Sequence, residues 1–197
     1  MLHGSCEKGK YSILEGSDNE NNCHDCMIGK FSLVLGGKSL SVCKECPKGR
    51  YRNSNMDPGK ECELCENGKY SNNSAYECKL CKAGMYNNGD NNYDHIGCKF
   101  CPAGKYSNLV GNDNFNKCIN CPLGKFSNII GSNISTNCIN CVRGKYNNIL
   151  GSKSKFDCKN CPDGKYRKFE AGLSINDCID CSPGYYSMKY KYKCSEC

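Results

Sequence analysis

Ten Cys-x-x-Cys pairs recur along this chain at an almost fixed step, and that period limits what it can fold into. Their first cysteines are Cys23, Cys43, Cys62, Cys78, Cys98, Cys118, Cys138, Cys158, Cys178 and Cys194, and the commonest step is 20 residues. Self-similarity at such a period marks a stacked array in which each repeat meets its neighbours, not a single globular core. Apolar residues are too few for such a core. Leu, Ile, Val and Phe supply 32 of the 197 residues, and mean hydropathy is -0.67. Burial of so little aliphatic surface does not offset the entropy of ordering the chain. Covalent or coordinative bonds must hold it, and with 21 cysteines the options are disulfides or metal.

The text between the pairs also repeats. Cys101-Pro102-Ala103-Gly104-Lys105-Tyr106-Ser107 is matched by Cys121-Pro122-Leu123-Gly124-Lys125-Phe126-Ser127, and by copies opening at Cys26, Cys46 and Cys161. Cys-Pro-x-Gly is turn chemistry, since proline presets one dihedral angle and glycine permits a positive one. Lys-aromatic-Ser reads as a short strand. An apolar pair such as Ile129-Ile130 or Ile149-Leu150 follows, then a reversing glycine at Gly16, Gly36, Gly111, Gly131 or Gly151. The return arm carries the next Cys-x-x-Cys. The expected fold is therefore a set of small disulfide-rich repeats, an elongated array of short two-stranded β units with little helix. Residues 1–5 read as the remnant of a preceding unit, and residues 6–197 as about ten tandem units. The units from Cys65 to Cys78 and from Cys181 to Cys194 are short and are expected to be bends or weak points.

The recurring ring occupies Tyr11, Phe31, Tyr51, Tyr70, Tyr86, Tyr106, Phe126, Tyr146, Tyr166 and Tyr186. It reads either as a ladder of ligand-binding aromatics or, preferably, as the miniature core of each unit packed on a disulfide.

Three kinds of cysteine chemistry compete. Two Cys-x-x-Cys pairs about 16 residues apart make a zinc-ribbon pattern, and ten pairs would make five such sites in an intracellular array of four-cysteine zinc centres. Zinc would give no reason for gaps within a site to match gaps between sites, yet most gaps here carry the same text. Cys-x-x-Cys redox chemistry needs a helix start that no segment here provides. The ladder alternative joins each second cysteine to the first cysteine of the next pair. It links Cys6 to Cys23, Cys26 to Cys43, Cys46 to Cys62, Cys65 to Cys78 and Cys81 to Cys98. It also links Cys101 to Cys118, Cys121 to Cys138, Cys141 to Cys158, Cys161 to Cys178 and Cys181 to Cys194. Cys197 alone stays unpaired. Parity does not decide among these, but the text after Cys6 matches that after every second cysteine and favours the ladder.

These motifs resemble the ephrin-receptor-like cysteine-rich repeat (GCC2/GCC3) and, more distantly, tumour-necrosis-factor-receptor and EGF-like units. Lys outnumbers Arg 23 to 4 and Asn is abundant, a bias that resembles the cysteine repeat modular proteins of malaria parasites or surface proteins of ciliates. The resemblance implies a segment of a large surface or secreted protein acting in recognition or adhesion, with no enzymatic activity or cofactor. It also implies that membrane anchoring, if present, lies elsewhere in the full-length protein.

Net charge is +7. A basic residue follows the repeat glycine in most units, and Lys105, Lys125, Lys145 and Lys165 form a candidate anion-binding stripe for a protein or anionic glycan on another cell. A solvated strand edge is the competing reading. Nucleic acid is not expected, because acidic residues are interleaved and no basic helix appears. His3, His24 and His95 lack partners at metal-ligand spacing. Asn72 and Asn133 open glycosylation sequons. Met1 and Leu2 lead into the repeat without an apolar leader, and no stretch is long and apolar enough to span a membrane. The passive stalk without a ligand of its own is the rival function.

Overall fold

The computed structural model describes residues 6–14, 20–89, 97–187 and 191–197. Residues 1–5, Gly16, His3 and His95 lie outside them. The described residues form two compact bodies. One lies within Met1–Cys81 and Asn87–Cys98, the other within Lys82–Tyr86 and Lys99–Cys197.

Each repeat is a hairpin. In the repeat opened by Cys101, the Lys105 N–H donates to Pro102 O (3.1 Å), closing a turn whose third residue, Gly104, has φ +81°. That angle at that position is the requirement of a type II turn and is strained for any L side chain. Lys105–Tyr106 then pairs antiparallel with Ile119–Asn120, the dipeptide inside the next Cys-x-x-Cys. The Cys121 N–H adds a further rung by donating to Gly104 O (2.8 Å). The same register recurs from Lys10–Tyr11 with His24–Asp25 to Tyr185–Ser187 with Cys194–Glu196, giving ten two-stranded sheets among the described residues. In most long repeats a single 3-10 turn, such as Phe115–Lys117 or Lys155–Asp157, precedes the first cysteine. Those turns have no counterpart in the sequence reading. Ser154, Ser174 and Asn114 cap three of them through their side chains. The short repeats keep the hairpin.

A two-residue hairpin is not stable alone, and two kinds of bond hold these in place. The first is the disulfide. Cys6–Cys23, Cys26–Cys43, Cys46–Cys62, Cys65–Cys78 and Cys81–Cys98 belong to one body. Cys101–Cys118, Cys121–Cys138, Cys141–Cys158, Cys161–Cys178 and Cys181–Cys194 belong to the other. Cys197 is free and exposed. The second is a set of main-chain bonds between successive repeats. Gly104 N–H donates to Ser127 O (2.8 Å), Ser107 N–H to Ser132 O (3.0 Å) and Gly131 N–H to Cys101 O (2.7 Å). Twenty residues on, Gly124, Ser127 and Gly151 donate in the same way to Asn147, Ser152 and Cys121.

The buried interior is sulfur and hydroxyl. Cys46, Cys81, Cys101, Cys121 and Cys141 are fully enclosed, and so are Ser107, Ser127 and Asn147. The rings expected to form each miniature core are only half-buried from Tyr11 to Tyr166, and Tyr186 is exposed. The enclosed position is the residue after the ring. At Ser32, Arg52, Ser107, Ser127, Asn147 and Arg167 the carbonyl accepts from the preceding repeat and the N–H donates to the following one, so these residues sit between both neighbours. Ser, Asn or Arg occupies it throughout: Ser12, Ser32, Arg52, Ser71, Asn87, Ser107, Ser127, Asn147, Arg167 and Ser187. Several of these side chains reach back to the strand carbonyl of the preceding repeat: Ser71 Oγ to Arg50 O (2.8 Å), Asn87 Nδ2 to Lys69 O (2.8 Å) and Asn147 Nδ2 to Lys125 O (3.0 Å). Others accept from the N–H two residues on, as Ser127 Oγ does from Ile129 (3.3 Å).

The close approach of repeats can be tested at two glycines. A Cβ on Gly104 would stand 2.0 Å from Gly151 O, whereas one on Gly164, at φ +76°, would meet nothing within 4 Å. Gly164→Ala therefore carries only the left-handed backbone strain, about 1 kcal/mol. Gly104→Ala adds an overlap with main chain and is expected to cost about 2–3 kcal/mol. Denaturant unfolding of the two variants beside the native chain measures the difference.

Candidate functional site

With the interior given over to cysteine, serine and asparagine, large apolar side chains and long cations stand on the surface. Leu109, Val110, Ile129, Ile130, Ile149 and Leu150, the apolar pairs of the long repeats, are all exposed. So are Phe100, Ile119, Ile139 and Ile179 inside the Cys-x-x-Cys dipeptides. Stability held in disulfides and main-chain bonds leaves these side chains free to make outside contacts.

The hairpin register decides the charge of the lysine row. Each lysine opens a strand and faces the second residue of the next Cys-x-x-Cys dipeptide. Lys165 faces Asp180 and pairs with it at 2.8 Å. Lys10 and Lys30 stand 3.8 Å from Asp25 and Glu45 in the same way. Lys105, Lys125 and Lys145 face Asn120, Asn140 and Asn160 instead. Lys105 Nζ donates to Cys118 O (3.4 Å) and lies 4.9 Å from the centre of the Phe115 ring. The structure thus divides the four candidate cations. Lys105, Lys125 and Lys145 occupy equivalent positions of three successive repeats without a facing carboxylate, whereas Lys165 is neutralised. All four are partly buried.

Asn72 and Asn133 are exposed. His24 lies in a strand with its ring 5.8 Å from that of Tyr11. Among the described residues no group of three or more His, Cys, Asp or Glu side chains is placed to hold a metal ion, and no helix is long and apolar enough to cross a membrane. A sulfur engaged in a disulfide has no thiolate to offer zinc, which removes the four-cysteine donor set from the paired cysteines.

Sequence reasoning missed two arginines. Arg52 is buried, and its guanidinium forks onto main-chain oxygens. It donates to Cys26 O (2.6 Å), Met27 O (2.6 Å), Met56 O (3.1 Å) and, through Nε, to Lys30 O. Burial lowers its pKa from the ordinary value, while Asp25 and Asp57 push the other way. Arg167 occupies the equivalent position and contacts Asp177 O (3.3 Å), Glu170 O (3.2 Å) and the Asp177 carboxylate (3.7 Å). That carboxyl is held below the usual range chiefly by the Leu173 N–H at 2.6 Å, with the Ser174 N–H and Arg167 adding to the effect. An arginine aligned with serines was the available signal, because a donor is what the position has in common.

The family profile described as tyrosine-protein kinase ephrin type A/B receptor-like matches residues 89–134 and 131–178, two overlapping stretches. No curated protein is similar enough to the chain to be matched. The matched stretches take in the repeats that carry Lys105, Lys125 and Lys145, the cations without a facing acid.

Proposed function

We propose that this chain, which carries ephrin-receptor-like repeats over residues 89–178, is an extracellular segment of a surface or secreted protein that makes protein or anionic-glycan contacts in recognition or adhesion. It has no catalytic task. Disulfides persist outside cells and in the secretory pathway, and the ten among the described residues call for an oxidising compartment. The observation that carries the contact-making reading is the inversion of burial. Cysteine and serine fill the interior, while isoleucines, leucines, phenylalanines and three strand lysines without a facing acid cover successive repeats at the same positions. Contacts that are weak in one repeat sum along an array.

Replacing Lys105, Lys125 and Lys145 together by Gln tests the glycan arm. At about 0.5 kcal/mol per exposed cation, affinity for immobilised heparin is expected to fall roughly tenfold, with the variant eluting at lower salt. Unchanged elution would count against the lysine row and leave a passive stalk as the better description.

A further inference from the structure

A groove of about 380 Å³ in the second body is lined by Phe126, Ile139, Val142, Lys145, Lys155 and Phe156. It spans two successive repeats. Phe126 and Ile139 face each other across one hairpin. Val142, Lys145 and the 3-10 turn Lys155–Asp157 come from the next repeat.

The chain itself indicates what such a groove takes. Forty residues earlier, two repeats back, the equivalents of Phe126, Lys145 and Lys155 are Tyr86, Lys105 and Phe115. There the slot is filled from within. The Phe115 ring packs edge-on against Tyr86 at 5.5 Å, and the Lys105 ammonium lies 4.9 Å above it. In the later copy Lys155 stands in place of Phe115, with its ammonium 5.5 Å from the centre of the Phe156 ring. Phe156 is 84% exposed, against 37% for Phe115. The aromatic wall and the strand cation are thus both present, and the ring that would sit between them is not. Two ammonium groups, Lys145 and Lys155, flank the opening. Glu170 reaches nearby and accepts from Asn140 Nδ2 (3.3 Å).

We infer that the groove bounded by Phe126, Lys145 and Phe156 binds a peptide segment of a partner protein through one inserted aromatic side chain, with a neighbouring carboxylate of that peptide on Lys145 and Lys155. The occupant is defined by the contact it reproduces: a ring edge-on to Phe126 and beneath an ammonium, as Phe115 is placed on Tyr86. The inference rests on the reading of the array as a contact-making segment and gives one of its surfaces a class of partner.

The test uses the full disulfide-bonded chain and the probe peptide acetyl-Ala-Asp-Phe-Asp-Ala-amide, followed by amide shifts of the labelled chain. Saturable shifts are expected at Phe126, Ile139, Val142 and Lys145, with weakening of about tenfold when the peptide's Phe becomes Ala. Lys155→Phe restores the internal occupant and is expected to weaken binding about tenfold. Lys155→Ser, the residue type that the preceding repeat carries at Ser135, leaves the slot open and retains the Phe-dependent shifts. Absence of saturable shifts up to about 5 mM peptide, a range that covers weak single-site contacts, overturns the inference. So does a Lys155→Phe chain that binds as the native one does. If heparin retention depends on the lysines while the peptide does not bind, the groove proposal alone fails. If Lys155→Phe does not fold, equal binding of the Phe and Ala peptides to the native chain serves as the overturning result.

Discussion

Full reduction of the ten disulfides is expected to turn the folded array into a disordered chain in unchanged buffer, with loss of every slowly exchanging amide. The reason is the inventory of what is buried. The core residues are cysteines, and the polar side chains among them are serines, asparagines and Arg52. Take away the S–S bonds and each repeat retains a two-residue hairpin and a few main-chain contacts to its neighbours, too little to meet about 1–2 kcal/mol of backbone entropy per residue. A single bond shows the same effect locally. Cys121 and Cys138 close a 17-residue separation, and replacing both by alanine is expected to cost about 3 kcal/mol in the chain-entropy model. In a stacked array that loss spreads to nearest neighbours. The Gly104 and Gly151 amides, bonded to Ser127 O and Cys121 O, should exchange faster, while that of Gly29 in the other body should not. A reduced chain that kept its protected amides would contradict this account of the fold.

Arg52→Ala is expected to be the most costly single substitution of a polar side chain, about 4 kcal/mol. It strands the carbonyls of Cys26, Met27, Lys30 and Met56, which now share one guanidinium. Hydrogen bonds to charged groups contribute about 1.5–3 kcal/mol each, less what entering water restores. Arg52→Ser supplies the side chain that most other repeats use. Ser71 Oγ bonds the strand carbonyl of its preceding repeat, so a serine at residue 52 is expected to recover the Lys30 contact and no other, giving a loss of about 2 kcal/mol. Arg52→Lys should recover little, because an ammonium cannot fork across several carbonyls. The measurement is amide exchange at Gly29 and Arg52, whose bonds to Arg52 O and Ala75 O mark the joints on either side. Equal protection in all variants would show the guanidinium to be dispensable.

What the sequence disclosed depended on whether a signal was repeated or relational. The step between pairs, the Cys-Pro-x-Gly turn and the Lys-aromatic strand are local patterns that recur, and the two-stranded repeats follow from them. The interior was not legible. Serine reads as a surface residue, and only the bonding of Ser107 or Ser127 to both neighbours shows why a small donor belongs inside. The rings, which looked like the sole candidates for burial, stand half-open because a strand of two residues gives them no opposing layer. Lys165 was indistinguishable from Lys105 until the register set one against Asp180 and the other against Asn120. The groove beside Phe126 was hidden for a similar reason. It arises where one copy carries Lys155 and another carries Phe115, and only the contact of Phe115 with Tyr86 gives that exchange a meaning.

Arg52 and Arg167 aside, the joints between repeats are written almost wholly in backbone atoms, with a small Ser or Asn donor beside them. Such a seam does not distinguish which copy it meets. Unequal recombination that adds or drops one cysteine-to-cysteine period leaves the remaining sulfurs in step, so copy number can drift between lineages without loss of the scaffold. Selection is then left to act on the outward residues, and each duplicate is free to acquire a different specificity.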